Sequence, residues 1–255
     1  MFLTEFPINR TRRRTSRLLG SPYQMHAAVA GSFPPTGGRS PESRVLWRVD
    51  TESSATYLYM VSPEEPSLIG LDEQIGFPDK PPQWRTRCYD PFLERLAERQ
   101  VWSFRLTANP VRTVIRDQSR RSTGMVGKRV AHVTTTQQAA WLIGRAAYAG
   151  CDPSEVPPWL PPMEESRAAR HGFVVRCDEA GYPRLVVSER RRYDVHKSHQ
   201  VEAITLATAQ FDGTLEVIDA DRLRHALMHG IGSAKAFGCG LLTLAPSQRG
   251  DGATL

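Results

Sequence analysis

Residues 201–245, VEAITLATAQFDGTLEVIDADRLRHALMHGIGSAKAFGCGLLTLA, hold the order of elements that decides the fold. Val201 to Phe211 reads as a strand, and Asp212-Gly213 is a turn signal leading into a second strand, Thr214 to Ile218. Asp219 to His229 reads as a helix, a glycine-rich loop follows, and Leu241 to Ala245 is a last strand. Upstream lie strands near Phe173 to Arg176 and Arg184 to Val187, a proline-rich connection from Cys151 to Arg170, and a helix from Thr134 to Ala149. That helix has Thr134 to Thr136 as caps and turns Ala139, Ala140, Leu142, Ile143 and Ala146 toward a core. Val101 to Leu106 is a strand before it. Strand, helix, strands, helix, strand is the βαββαβ plan of ferredoxin-like, RRM-like folds, an α+β class that often serves as an RNA platform.

The first half repeats this order less clearly. Phe2 to Ile8 is a short strand, and the arginines from Arg10 to Arg17 follow in a loop. Ser21 suits an N-cap and Pro22 a first helical position. The helix they open carries Tyr23, Met25, His26, Ala27, Val29 and Ala30 and stops at Gly31 and the Pro34-Pro35 pair. Pro34 to Ser43 is a loop. Arg44 to Asp50 alternates as a half-buried strand with Val45, Trp47 and Val49 on one side, and Thr56 to Val61 pairs with it. Ser62 to Gln83 is punctuated by prolines, with a short helix near Leu68 to Gln74.

Composition excludes several classes. At 255 residues, 40% hydrophobic and 24% charged, the chain has the make-up of a soluble globular protein with one large or two small domains. No stretch approaches the roughly 18 apolar residues of a membrane span. From Met1 to Arg17 the apolar run precedes the arginines, the reverse of a secretory signal, so the cytoplasm is expected and no membrane partner. Cys88, Cys151, Cys177 and Cys239 form no CxxC pair, and neither a disulfide framework nor a zinc ribbon follows from their spacing. The formal net charge is +6, and only Lys80, Lys128, Lys197 and Lys235 are lysines against 29 arginines. A guanidinium grips phosphate bidentately and stacks on bases, although a GC-rich genome also raises arginine.

Position carries more than count. Three basic runs lie in loops or at strand ends: Arg10 to Arg17, Arg116 to Arg129, and Arg190 to Lys197. Their members Arg12, Arg13, Arg14, Arg17, Arg120, Arg121, Lys128, Arg129, Arg190, Arg191, Arg192 and Lys197, with Tyr193 interleaved, suit a nucleic-acid groove. His196 and His199 lie beside the last run and suit phosphate contact. His225 and His229 are four apart on a helix, but no third metal ligand accompanies them.

The segment Gly230 to Gly240 can cradle phosphate on its backbone N–H groups, with Gly232 in the loop and Lys235 adding charge, or it can be a tight connection that permits close packing. It follows a helix and precedes a strand, the reverse of a dinucleotide fingerprint, and it has no Gly-Lys-Ser/Thr sequence. A nucleotide-dependent enzyme is therefore disfavoured. His26 is three residues after Tyr23, so both project from one helical face. An imidazole titrating near neutrality moves protons in both directions, which suits RNA cleavage by internal transfer. A helical histidine is also compatible with plain packing.

Met1-Phe2-Leu3-Thr4, Tyr23-Gln24-Met25-His26, Phe104-Arg105-Leu106-Thr107-Ala108-Asn109-Pro110 and the closing block Gly230 to Pro246 together resemble the CasE (Cse3) family, in its order and spacing, from Met1 to Pro246. The resemblance implies two tandem ferredoxin-like domains, here 1–95 and 100–246, and residues 247–255 read as a disordered tail. It implies a cofactor-free, metal-independent endoribonuclease that cuts the CRISPR repeat transcript at the 3′ base of its hairpin. The products are a 2′,3′-cyclic (or 3′-) phosphate and a 5′-hydroxyl. The enzyme then stays bound to the hairpin as a subunit of Cascade. Its catalytic histidine falls on His26 and its helical tyrosine on Tyr23. Some members carry a lysine later on the first helix, where this chain has Gly31. The cation that stabilises the phosphate would then come from Arg12 to Arg14 or from Arg190 to Lys197. A hairpin-binding scaffold that does not cut is the competing reading.

Overall fold

A computed structural model describes residues 1–34, 44–114, 128–195 and 204–247. β1 (Phe2–Pro7) leads into two consecutive helices, α1 (Arg13–Leu19) and α2 (Pro22–Ala30). β2 (Leu46–Thr51) and β3 (Thr56–Ser62) form a hairpin, and α3 (Ile69–Ile75) returns the chain to β4 (Arg85–Cys88). These strands pair in the order β2-β3-β1-β4, all antiparallel, with Thr4 opposite Met60 on one side and Thr86 on the other. That order is the ferredoxin-like arrangement of a βαββαβ chain.

The second half repeats it. After α4 (Asp90–Glu94) come β5 (Val101–Ala108), a side hairpin of β6 (Val111–Val114) and β7 (Lys128–Ala131), then α5 (Thr135–Ile143) and α6 (Arg167–Arg170). β8 (Phe173–Val175), β9 (Leu185–Val195), β10 (Ile204–Val217), α7 (Ala220–His229) and β11 (Leu242–Pro246) complete the unit. The sheet runs β11-β5-β10-β8, and β9 continues the β8 edge along the rest of β10. Both units are ferredoxin-like, as the element order predicts.

The core explains how they meet. Phe6, Leu58 and Met60 on one face of the first sheet pack with Leu18, Met25, Val29, Leu71 and Ile75 of α1, α2 and α3. The other face does not meet water. Leu46 and Val61 join a cluster with Leu106, Leu241 and Leu242 of the second unit. β2 is therefore buried on both faces instead of half-buried, because the first sheet is sandwiched between its own helices and its neighbour.

Three local expectations change. Asp212-Gly213 is no turn: β10 runs straight through it, paired to Arg105 and Phe104 of β5. A Cβ at Gly213 would sit 2.4 Å from the Arg184 carbonyl oxygen and 2.9 Å from the Phe104 ring, so glycine is there for close approach. Arg13, Arg14 and Arg17 stand on a helix, α1, and not in a loop. Arg190 to Arg192 lie within β9, not at its end. β4, α4 and the β6–β7 hairpin have no counterpart in the sequence reading.

Candidate active site and nucleic-acid interface

α2 is set by its start. The Ser21 hydroxyl accepts from the Gln24 amide at 3.3 Å, and Pro22 occupies the first helical position. Met25 and Val29 point into the core, which fixes the rotation of the helix. At 100° per residue, His26 then lies about 60° from Tyr23 and about 40° from Pro22. Tyr23 is 41% exposed, and His26 is half-buried.

On the Tyr23 side opens a groove of about 1000 Å³ walled by Arg13, Arg14, Arg17, Gln24 and Ser32. Ser32 closes that wall at the end of α2, with its hydroxyl oxygen buried and without a hydrogen-bond partner. Arg12 points elsewhere: its Nη1 donates to the Asp72 and Gly76 carbonyls, both at 3.4 Å, at the C-terminal end of α3. Thr15 anchors α1 by donating from its Oγ1 to the Asn9 carbonyl at 2.7 Å.

On the Pro22 side lies a second cleft, about 370 Å³, between the two units. Pro22 and Met25 face Arg105, Arg191, Tyr193 and Gln210 across it. Arg105 donates from Nε to Asp212 at 2.5 Å and from Nη1 to Asp50 at 3.4 Å. Burial alone would lower the Arg105 pKa, but the Asp212 and Asp50 carboxylates outweigh it and hold the guanidinium charged. Position 26 is thus bracketed by a basic groove on one flank and an inter-domain cleft on the other.

A family model described as "CRISPR associated protein" matches residues 1–246. This chain belongs to the CasE/Cse3 family of CRISPR-associated proteins. The CRISPR-associated endoribonuclease Cse3 of Thermus thermophilus is 29% identical over 256 residues, 96% of this chain and 100% of that protein. The CRISPR system Cascade subunit CasE of Escherichia coli is 32% identical over 145 residues, 56% of this chain and 57% of its own. Thermus thermophilus Cse3 bound to an RNA representing a pre-cleavage complex superposes with a TM-score of 0.67 at 26% identity, covering 96% and 98% of the two chains. Escherichia coli Cas6e shares the fold at 22% identity, with a TM-score of 0.56 over 96% of this chain and 100% of that one.

In this CasE/Cse3-family chain the glycine segment is a packing device. Gly230, Gly232, Gly238 and Gly240 all have positive φ. A Cβ at Gly238 would lie 2.7 Å from the Trp47 ring, and one at Gly232 would lie 3.0 Å from Trp141. The Ile231 amide donates to the Gly240 carbonyl at 2.9 Å, and the Gly240 amide to the Thr107 carbonyl at 2.7 Å. Lys235 turns its Nζ to the His229 carbonyl at 2.6 Å, capping α7.

The basic runs divide. On β9 a bulge sets Glu189 and Arg190 opposite Ala209, with Glu189 at φ 44. Arg191 therefore faces the cleft, paired to Glu189 at 2.6 Å, while Arg190 reaches the Val133 carbonyl at 3.5 Å on another side. Arg192 is exposed, as is Arg129 on β7. Lys128 belongs to the β7 backbone. Arg116, Arg120, Arg121, His196, Lys197 and His199 lie outside the described residues. Among the described residues no group of three His, Cys, Asp or Glu side chains is placed to hold a metal ion, and no helix is long and apolar enough to cross a membrane. All four cysteines are free thiols, and only Cys239 is buried.

Sequence reading missed Arg48, Asp50 and Ser32. An Arg-x-Asp pair on the side of a strand opposite three apolar residues looks solvated until a second domain covers it. Ser32 follows a helix stop and carries no signal of its own.

Proposed function

We propose that this chain is an endoribonuclease that binds the CRISPR repeat hairpin, cuts the precursor transcript at the 3′ base of the stem, and stays on the product as a Cascade subunit. The reading takes 1–95 as the catalytic unit and 100–246 as its RNA-binding companion. The observation that carries it is an exposed Tyr23 lining a groove walled by three arginines, with the half-buried His26 about 60° round α2 from it. Relatives over most of the chain's length support it, among them a Cse3 held with an RNA representing a pre-cleavage complex.

The chemistry is transesterification. The ribose 2′-oxygen loses its proton and attacks the adjacent phosphorus. The bond from phosphorus to the 5′-oxygen breaks, and that oxygen takes up a proton. A 2′,3′-cyclic phosphate and a 5′-hydroxyl result. The His26 imidazole supplies proton transfer, and Tyr23 orients the hydroxyl or the phosphate. Arg13, Arg14 and Arg17 stabilise the charge that builds on the five-coordinate phosphorus, the work a lysine would do where Gly31 stands. The further RNA contacts come from Arg129, Arg190, Arg191, Arg192 and the remaining basic side chains of the second unit.

The test is incubation of repeat RNA with the protein in EDTA. Cleavage at one position by the wild type and retained binding without cleavage by His26→Ala are expected. Binding without cleavage by the wild type would instead make the protein a hairpin scaffold.

A further inference from the structure

We propose that the helical flank of the second unit carries a separate phosphate-binding site, formed by Arg167, Arg170, His171, His225 and Lys235, that grips the backbone of the bound RNA. The proposal rests on the RNA-binding reading above for its ligand, but the site stands on its own geometry.

Ser166 caps α6 by accepting from the Ala169 amide at 3.3 Å, and this single turn presents Arg167, Arg170 and then His171. The Arg167 guanidinium lies 4.4 Å from the centroid of the Trp141 ring and donates from Nε to the Trp141 carbonyl at 3.4 Å. Gly232 packs against the same ring, which brings the glycine segment alongside. From that segment Lys235 is fixed on the His229 carbonyl, and the His225 ring sits 4.3 Å from the His229 ring. The Ser233 hydroxyl oxygen is buried in this segment with no hydrogen-bond partner.

Charge makes the case. Arg48, Arg105, Arg176, Arg191, Arg222 and Arg224 each have a carboxylate partner. Among the described residues none stands within ion-pair distance of Arg167, Arg170, His171 or Lys235. Arg167 and Lys235 are nevertheless half-buried. Burying like charges together is unfavourable unless an anion completes the group. The pressure is visible on His171, whose pKa falls to about 4 through burial first and then Arg167, Lys235, His225 and Arg170. Arg44, from the start of the first unit's hairpin, adds to the same field at Lys235. The guanidinium forks of Arg167 and Arg170 match the acceptor oxygens of a phosphodiester.

The full-length protein and a labelled repeat hairpin test this. Arg170 is exposed, so Arg170→Gln folds, and it should weaken binding about tenfold at low salt. The slope of log affinity against log salt should fall by about one, with the bond cut unchanged. A folded Arg170→Gln protein with wild-type affinity and slope overturns the proposal. In the second arm, inorganic pyrophosphate is added while the His171 ring is followed by NMR. Saturable shifts that the hairpin competes away are expected. Shifts indifferent to the hairpin assign the cluster to a free anion or an acidic protein, and no shift leaves it without an anion; both overturn the proposal. A wild-type chain that fails to bind the hairpin at all sinks the functional reading, whatever pyrophosphate does.

Discussion

Arg48 and Asp50, two residues apart on β2, form a bidentate ion pair at 2.6 and 2.9 Å with side chains only 3% and 5% exposed. The remaining donors of Arg48 reach across to the second unit. Nη1 donates to the Arg105 carbonyl at 2.9 Å and the Leu241 carbonyl at 3.0 Å, and Nη2 to Thr243 Oγ1 at 2.8 Å. A guanidinium has five N–H groups, and here all five are used. Asp50 also meets Arg105, which holds Asp212, so one charge network ties β2 to β5, β10 and β11. The angle between the domains, and with it the cleft beside α2, depends on this network.

Removing one partner leaves the other charged and buried. Asp50→Ala should cost about 3–5 kcal/mol of unfolding free energy, and Thr243→Val, which removes one acceptor from Arg48, about 1 kcal/mol. Urea denaturation measures both. Equal and small effects would mean that water reaches Arg48 and that the network does not join the domains.

Gly238 and Gly70 predict opposite signs on replacement by alanine. Gly238 has φ 78 and no room beside Trp47, so Gly238→Ala should destabilise by about 2 kcal/mol or more. Gly70 sits in α3 with nothing within 4 Å of a built Cβ, so Gly70→Ala should stabilise by up to about 1 kcal/mol. Thermal unfolding of the two proteins gives the comparison. A neutral Gly238→Ala would show that the loop does not depend on Trp47.

What the sequence revealed follows from what is local. The α2 start was legible because Ser21 and Pro22 are cap signals that act within one turn. The βαββαβ order was legible because each element's periodicity is its own. α1 was not, since it has no side-chain cap, no acid in its first turn and arginines at Arg13 and Arg14, where the helix dipole disfavours cations. It is held instead by Leu18 in the core and by Thr15 on Asn9. The straight course of β10 through Asp212-Gly213 depends on Phe104, more than a hundred positions away. The groove wall at Ser32 and the burial of Arg48 are likewise products of tertiary contact, which no local pattern encodes.

Stability should fall in mild acid through His171. Its pKa is about 4 in the folded chain against about 6.5 unfolded, so between these values the unfolded state binds more protons. The contribution is complete above about pH 6.5, is lost as pH drops toward 4, and changes no further below. For a partly exposed ring it amounts to on the order of 1–2 kcal/mol. His132, lowered by burial and then by Arg112 and Arg167, acts with the same sign. Denaturation midpoints of wild type and His171→Gln at pH 7 and 4.5 test this, with the variant expected to lose less. Parallel losses in the two proteins would remove His171 from the account.

The groove beside Tyr23 makes a kinetic prediction that distinguishes its arginines. Arg17 lines the groove, whereas Arg12 spends its donors on the α3 carbonyls. Loss of one charge-stabilising donor from a phosphoryl transition state costs on the order of a hundredfold in rate, less where neighbours share the load. Under single-turnover conditions with saturating hairpin, Arg17→Gln should therefore cut at least tenfold more slowly, and Arg14→Gln/Arg17→Gln more slowly still. Tyr23→Phe keeps the ring and removes only the hydroxyl, so a comparable loss there would assign the oxygen to the reacting groups. Arg12→Gln should register chiefly as about 1 kcal/mol of lost stability through the freed end of α3. If Arg17→Gln cleaves at the wild-type rate while affinity alone declines, the guanidiniums of α1 hold the RNA and the charge on phosphorus is met from elsewhere, with Arg191 across the cleft the next side chain to change.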